Sequence, residues 1–442
     1  MSVEFLLGPA GSGKTFRCLE QVRSLLDKAP EGPPLVFLAP KQATFQIERR
    51  LLLEFGVGGY HRLQIVPFER LTLFLLERLG ITLPESLSEE GRVMVIRSLL
   101  LRHGAELSAF AANAQGTGFA RALSGWLREL QQHQGRPASL REIAGQTETP
   151  TGLRAKLRDA ALILERYEAW LDERKINDPD VAMPLATETL KRELSQSTDK
   201  PIGWVWMDGF AELTPAELTL LEVVVRASEG ATLAFCLPDS QPGSPEDIDL
   251  WCNVRGTFRS CFARLSGATP RPPRVRCLPE DFFQTRFAAN PILSHLESQL
   301  AKTSPQTSQA PDERLAPHLQ LWSCANPEAE AELAAQVILQ HVQEGGKYRD
   351  IGIIPRSLQG YASAYARVFR RYQIPLFIDQ RAAIGHHPAI ELIRAALRTL
   401  AGPWSSSDLF AILKTGLAVQ DHSAADRLEN LALRQGWTQT QW

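Results

Sequence analysis

Over its first eighty residues the chain alternates short, largely apolar runs with stretches whose apolar positions recur every three or four residues. Val3 to Leu7 and Leu35 to Ala39 are runs of the first kind, and Leu63 to Val66 is a shorter one. A strand covered on both faces needs apolar residues at consecutive positions, so these runs predict buried strands of a parallel sheet. Phe16 to Leu26, Gln42 to Phe55 and Phe68 to Leu79 read as helices that follow them. The order strand, helix, strand, helix, strand, helix predicts an α/β fold.

From Pro84 to about Leu194 the period changes to that of helices, over Leu87 to His103, Phe119 to Gln132, Leu153 to Arg174 and Val181 to Leu194. In the third of these, Leu153, Leu157, Ala161, Leu164, Tyr167 and Leu171 form a stripe at three- and four-residue steps, the pattern of a helix packed on a core. Strand signal resumes at Ile202 to Met207 and ends in Asp208-Gly209-Phe210. A helix is predicted to open at Thr214-Pro215, with Glu217 at the capping-box position. Ala231 to Leu237 reads as a strand, Pro238 to Glu246 as a loop and Ile248 to Leu265 as a helix. Lys302 to Ala316, rich in Ser, Thr, Gln and Pro, reads as a linker. Beyond it a second alternation is predicted: strands at Leu319 to Ser323, Ile351 to Pro355 and Leu376 to Ile378, helices at Pro327 to Gln343 and Leu358 to Tyr372.

The chemistry begins where the first strand ends. Gly8-Pro9-Ala10-Gly11-Ser12-Gly13-Lys14-Thr15 has the form G-x-x-x-x-G-K-[ST], a P-loop, placed between an apolar run and a helix as its mechanism requires. Glycines let the backbone wrap an anion so that N–H groups and the helix N-terminus face phosphate oxygens. Lys14 adds a charge, and Thr15 a hydroxyl that can ligate magnesium. Gly8, Gly11, Ser12, Gly13, Lys14 and Thr15 are therefore the candidate ATP site. Asp208, closing an apolar strand, is the candidate for holding Mg2+ together with Thr15. Motor ATPases of this type place a glutamate directly after that aspartate, and here the position is Gly209; Glu212 lies three residues further on.

Composition narrows the picture without changing it. A chain of 442 residues suggests about two or three domains, each large enough for its own core. A formal charge of −2 supplies no global basic field, so any nucleic-acid contact has to come from a local groove. Six scattered cysteines without a C-x-x-C spacing argue against zinc and against a disulfide framework, and suit a reducing cytoplasm. No signal peptide precedes the P-loop, and no apolar run reaches the roughly 18 to 20 residues of a membrane span, so a cytoplasmic protein is expected.

Taken as ordered blocks, these residues resemble the AddB (RexB) family, the ATP-binding subunits of AddAB-type bacterial helicase-nucleases that act on double-strand breaks. The blocks are Leu7 to Thr15, Leu38 to Arg49 with its Gln42-Ala43-Thr44-Phe45 run, Met207 to Phe210 with Leu213 to Glu217, and Tyr348 to Arg356. Tyr361, Gln373 to Asp379 and His386-His387-Pro388 complete them. The P-loop alone is generic, whereas the Gln-Ala-Thr-Phe and Asp-Gly-Phe runs are more specific.

The resemblance implies a P-loop NTPase of the UvrD-like superfamily 1 helicase fold, with two RecA-like lobes of parallel sheet covered by helices on both faces. Residues 1–83 and 195–301 would form the first lobe, 84–194 a helical insertion, 302–317 a linker and 318–442 the beginning of the second lobe. Lys41, Gln42, Phe45 and Phe68 would fall where such helicases touch single-stranded DNA, and Arg356 where an arginine meets the nucleotide's terminal phosphate. ATP and Mg2+ are the implied cofactors. An AddA-like motor helicase-nuclease subunit and single- and double-stranded DNA ends are the implied partners. Two departures stand out: no Asp-Asp-Gln-like block follows Ala231 to Leu237, and neither the family's carboxy-terminal nuclease nor its iron–sulfur cluster is expected in this chain. A P-loop phosphotransferase of the nucleotide-kinase class and a non-catalytic scaffold with a relic P-loop are the alternatives in other functional classes.

Overall fold

The computed structural model describes residues 2–82, 86–133, 135–146, 148–196, 200–237, 250–268, 271–278, 285–299, 319–379, 384–402 and 405–437. The chain divides into two compact units, Met1–Leu319 and Gln320–Trp442. The linker expected at 302–317 and the loop expected at Pro238 to Glu246 lie outside the described residues.

In the first unit β1 (Ser2–Gly8), α1 (Lys14–Lys28), β2 (Leu35–Leu38), α2 (Thr44–Leu53), β3 (Leu63–Val66) and α3 (Phe68–Arg78) follow one another as the apolar pattern predicts. Four further helices come next: α4 (Glu89–Arg102), α5 (Thr117–Gln132), α6 (Pro137–Gly145) and α7 (Thr151–Arg174). Then come α8 (Ala182–Gln196), β4 (Ile202–Met207), α9 (Pro215–Arg226), β5 (Ser228–Cys236), α10 (Cys252–Ala268), β6 (Arg274–Cys277) and α11 (Pro291–Gln299). All six strands are parallel, in the order β3-β2-β4-β5-β1-β6.

Alternation along the strands sends side chains into two cores. Val3, Phe5 and Leu7 of β1 and Val36 and Leu38 of β2 join α3, α8, α9 and α10 on one face. Leu6, Leu35, Phe37 and Trp206 join α1 and α2 on the other. Both faces are thus covered, which is why the strands read as nearly unbroken apolar runs. Helix α9 opens as predicted: the Glu217 N–H donates to Thr214 Oγ1 at 3.3 Å, while the Glu217 carboxylate takes the Thr214 N–H at 2.8 Å.

Helices α4, α5, α6 and α7 close around a core of their own that includes Ile96, Leu100, Leu127, Leu164 and Tyr167. Of the predicted stripe, Leu157, Ala161, Leu164, Tyr167 and Leu171 are buried there, while Leu153 remains 45% exposed. A buried ion pair braces this core: Arg92 Nη1 donates to Asp178 Oδ2 at 2.6 Å, and its guanidinium lies 5.0 Å from the centroid of the Tyr167 ring. Helix α8, grouped by sequence with this insertion, belongs to the sheet layer instead, because Ala186 and Leu190 pack into the core over β4.

The second unit contains α12 (Pro327–Gln343), α13 (Ala362–Arg371), α14 (Pro388–Ala401), α15 (Ser406–Leu413) and α16 (His422–Gln435). Ala331, Ala335 and Ile338 of α12 meet Tyr365, Val368 and Phe369 of α13 in a small core. The strands predicted at Leu319 to Ser323, Ile351 to Pro355 and Leu376 to Ile378 do not form among the described residues. These segments have no ladder partners, and Leu321, Ile354 and Phe377 are 99%, 96% and 88% exposed. An apolar run becomes a strand only when a neighbour takes up its N–H and C=O groups, so the described residues of the expected 318–442 lobe show helices and unpaired segments in place of the expected strands.

Candidate nucleotide site

Because the sheet is parallel, the carboxyl ends of its strands share one edge, where sites of open α/β sheets form. Gly8 ends β1, Leu38 ends β2, and Asp208 follows β4 with its N–H donated to Leu38 O at 3.1 Å. The P-loop leaves β1 through a close approach that admits no side chain, since a Cβ on Gly8 would lie 2.4 Å from Leu278 O and 2.5 Å from Ser12 Oγ. Gly11 and Gly13 have φ of +76° and +89°, left-handed values that favour glycine. Gly13 is also the residue that caps α1, so Lys14 and Thr15 start the helix whose N-terminus faces the loop.

Lys14 is folded into this loop. Its Nζ donates to Gly8 O and Pro9 O, each at 2.7 Å, and to Ser12 Oγ at 3.3 Å. Burial lowers its pKa, while Cys236, Asp208 and Glu297 nearby act in the opposite direction. Thr15 Oγ1 donates to Asp208 Oδ2 at 2.5 Å, joining residues 193 apart in sequence. Burial pushes the Asp208 carboxyl above its usual range, against the Thr15 hydrogen bond, the Lys14 charge and the Gly209 N–H. Burial likewise raises the thiols of Cys18 and Cys236, so neither is poised as a thiolate nucleophile.

Among the described residues no group of three His, Cys, Asp or Glu side chains is spaced to hold a metal. The Thr15 hydroxyl and Asp208 carboxylate nevertheless form the oxygen pair that, with phosphate oxygens, suits magnesium. The residues present therefore fit a magnesium-bound nucleotide.

Position 209 explains the missing glutamate. Gly209 has φ +86°, and a Cβ there would meet Pro40 Cδ at 3.2 Å, so a side chain after Asp208 would be strained. Glu212 is engaged elsewhere, because its Oε1 accepts a hydrogen bond from the Asn253 side chain on α10.

The expected DNA contacts separate. Lys41, Gln42 and Phe45 lie just beyond β2, with Phe45 71% exposed, at the same sheet edge as Thr15 and Asp208. Phe68 is corrected: it is 1% exposed and packs edge-to-face on Phe210 at 5.3 Å, because the first turn of α3 aims it into the core. Arg356 lies exposed in the second unit, after the unpaired segment Ile351 to Pro355. Sequence reasoning missed β6 and the segment after it, which supplies Leu278, Arg286 and Phe287 around the loop.

A family model described as ADDB, N-terminal, matches residues 5–297. The chain is 36% identical over its whole length to an ATP-dependent helicase/deoxyribonuclease subunit of Desulforudis audaxviator, covering 37% of that protein. Proteins of the same description from Symbiobacterium thermophilum and Heliobacterium modesticaldum are each 34% identical over the whole chain, which covers 38% and 36% of them. The chain thus spans little more than a third of the length of these relatives.

The raised pKa of Asp208 carries a stability consequence. Its ionised form is the costlier one in the folded chain, so above the folded-state pKa it subtracts from stability, and the cost disappears below the ordinary value of 3.8. Asp208→Asn should therefore raise the urea midpoint at pH 7, with a gain that shrinks as the pH is taken toward 4. A variant less stable than wild type at pH 7 would show that Thr15 and Lys14 outweigh the burial.

Proposed function

The chain belongs to the ADDB, N-terminal family, and we propose that it is the ATP-binding, helicase-like part of one component of a DNA double-strand-break repair helicase-nuclease. The observation that carries the nucleotide reading is the Thr15–Asp208 hydrogen bond of 2.5 Å. A chance glycine turn has no reason to end opposite a carboxylate at the mouth of another strand. Membership of a family whose relatives are described as ATP-dependent helicase/deoxyribonuclease subunits supports the wider role. The six-stranded parallel sheet with helices on both faces is compatible with the first lobe of a P-loop helicase.

In this reading the N–H groups of Gly11, Ser12 and Gly13 wrap the phosphates beyond Gly8, and the α1 N-terminus adds its dipole. Lys14, now donating to carbonyl oxygens, would hold phosphate oxygens, and Thr15 with Asp208 would hold magnesium. Bound magnesium and ATP would supply an anhydride bond and a counter-charge to it. Arg356 is proposed as a ligand of the terminal phosphate on the family resemblance alone. With a left-handed Gly209 and a tethered Glu212, neither position offers a carboxylate placed to orient a water, and in this reading the chain holds ATP more than it spends it.

Single-stranded DNA is proposed to cross Lys41, Gln42 and the exposed Phe45, the ring stacking on a base and the polar groups meeting phosphate. The contribution would be DNA binding or scanning beside an AddA-like motor at DNA ends, rather than translocation. No helix of the described residues is long and apolar enough to cross a membrane, and a cytoplasmic location accords with that.

Calorimetric titration with MgATP tests the nucleotide reading. Lys14→Ala should weaken binding by roughly 1.5 to 3 kcal/mol, about tenfold or more, through loss of a charge-assisted contact. Equal affinities would mark the loop as a relic. For DNA, Phe45→Ala should lose about 1 to 3 kcal/mol of single-strand affinity, and wild-type binding should fall steeply with salt. Unchanged affinity would remove Phe45 from the interface.

A further inference from the structure

Helix α1 is tied to the sheet at a second place, about two turns into the helix. Gln21 Oε1 accepts two hydrogen bonds there, one from Trp206 Nε1–H of β4 at 3.0 Å and one from the Thr232 hydroxyl of β5 at 2.9 Å. Thr232 Oγ1 in turn accepts the Trp204 Nε1–H at 3.2 Å. An indole nitrogen only donates, so the direction of this chain is fixed and the Trp206 bond must end on the carbonyl oxygen of Gln21. Trp206 and Thr232 are fully buried, and Gln21 is half-buried.

This tie lies on the face of the sheet that carries Asp208. Side chains alternate along a strand, so Trp204, Trp206 and Asp208 point to the same side, the one on which α1 packs. Trp206 stands two residues before Asp208 on β4, and Gln21 stands six residues, about 9 Å of helix, after Thr15 on α1. The same helix and the same strand are therefore joined twice, at Thr15–Asp208 and at Gln21–Trp206, and the bond from Thr232 adds a point on the neighbouring strand. The other contacts of α1 on this core, through Cys18, Leu19, Val22 and Leu26, are apolar and non-directional.

The oxygen pair suited to magnesium is the part of the site that needs this register. Gly11, Ser12, Gly13 and Lys14 belong to one continuous loop, shaped by its own glycines and by the bonds of Lys14 to Gly8 O and Pro9 O. Thr15 and Asp208 come from two elements, so their spacing depends on where α1 sits along β4. A cation held by both oxygens would take the place of the bond between them, and the spacing then has to be kept from elsewhere. We propose that Gln21 is a positioning residue for this pair: its carbonyl oxygen, held by Trp206 and Thr232, sets α1 at the register in which Thr15 meets Asp208. The inference rests on the nucleotide reading of the loop and adds to it the residue that holds the metal-binding half of the site in place.

The test is calorimetric titration of wild type, Gln21→Met, Gln21→Asn and Gln21→Glu with ATP in magnesium and with ATP in EDTA, beside their urea midpoints. Methionine matches the length of glutamine without a comparable acceptor, asparagine is one methylene too short to keep both donors, and glutamate keeps the acceptor oxygen. Gln21→Met and Gln21→Asn should bind MgATP about three- to tenfold more weakly while binding metal-free ATP as wild type does, and Gln21→Glu should restore MgATP binding. A purely structural role would lower the urea midpoint and move both affinities together, or neither. Equal losses with and without magnesium, unchanged MgATP binding by Gln21→Met and Gln21→Asn, or a Gln21→Glu variant as weak as Gln21→Met would overturn the proposal. Lys14→Ala separates the two levels: if it binds both forms of ATP as wild type does, the nucleotide reading fails and the proposal with it. If Lys14→Ala weakens both while Gln21→Met leaves MgATP binding untouched, the role of Gln21 alone fails.

Discussion

One hydrogen bond, from Thr15 Oγ1 to Asp208 Oδ2, ties together the parts of the first unit on which the proposed nucleotide site depends. It requires β1 and β4 to run in the same direction with their carboxyl ends at one edge, and β5 lies between them in the sheet. It also requires a glycine turn tight enough to bring the first turn of α1 over that edge. The two apolar cores fix this arrangement from either face, so sheet packing and site geometry are one constraint. The same compactness withdraws Lys14 and Asp208 from water, and both pKa values move toward the neutral form. A magnesium-bound phosphate chain would bring strong charge partners to both groups, so the electrostatic cost of burying them leans toward the ligand.

The helical insertion and the second unit solve separate problems. Around Arg92 and Asp178 the insertion has its own buried ion pair and its own apolar core, which lets it fold beside the sheet without supplying site residues. The second unit keeps its small core between α12 and α13, while apolar residues at Leu321, Ile354 and Phe377 stay in solvent.

How much of this was legible follows from where the physics is local. Strands β2 and β4 were read from sequence because burial on both faces leaves a nearly unbroken apolar run, and the edge strand β3 from the shorter run Leu63 to Val66. Strand β6 escaped, since Arg274-Val275-Arg276-Cys277 sits at the sheet edge and needs no such run. The P-loop and the α9 capping box are local sequence patterns, so they were visible; the meeting of Thr15 with Asp208 was inferable in kind but not in distance. Phe68 shows the reverse, a helix-start aromatic whose direction only packing decides. The unpaired segments of the second unit show that an apolar run is necessary for a buried strand but not sufficient. Gly209 read as a lost carboxylate, and the left-handed backbone gives the physical reason for it.

ATP is, on this reading, a ligand held by the chain rather than a fuel it consumes, because the carboxylate that would orient water has no place after Asp208. Steady-state ATPase measured with saturating single-stranded DNA tests this most directly. The expected rate is far below the usual enzyme range of roughly 1 to 10³ per second. A DNA-stimulated rate within that range, abolished by Lys14→Ala, would contradict it and point to Glu212 or another carboxylate as the water-orienting group.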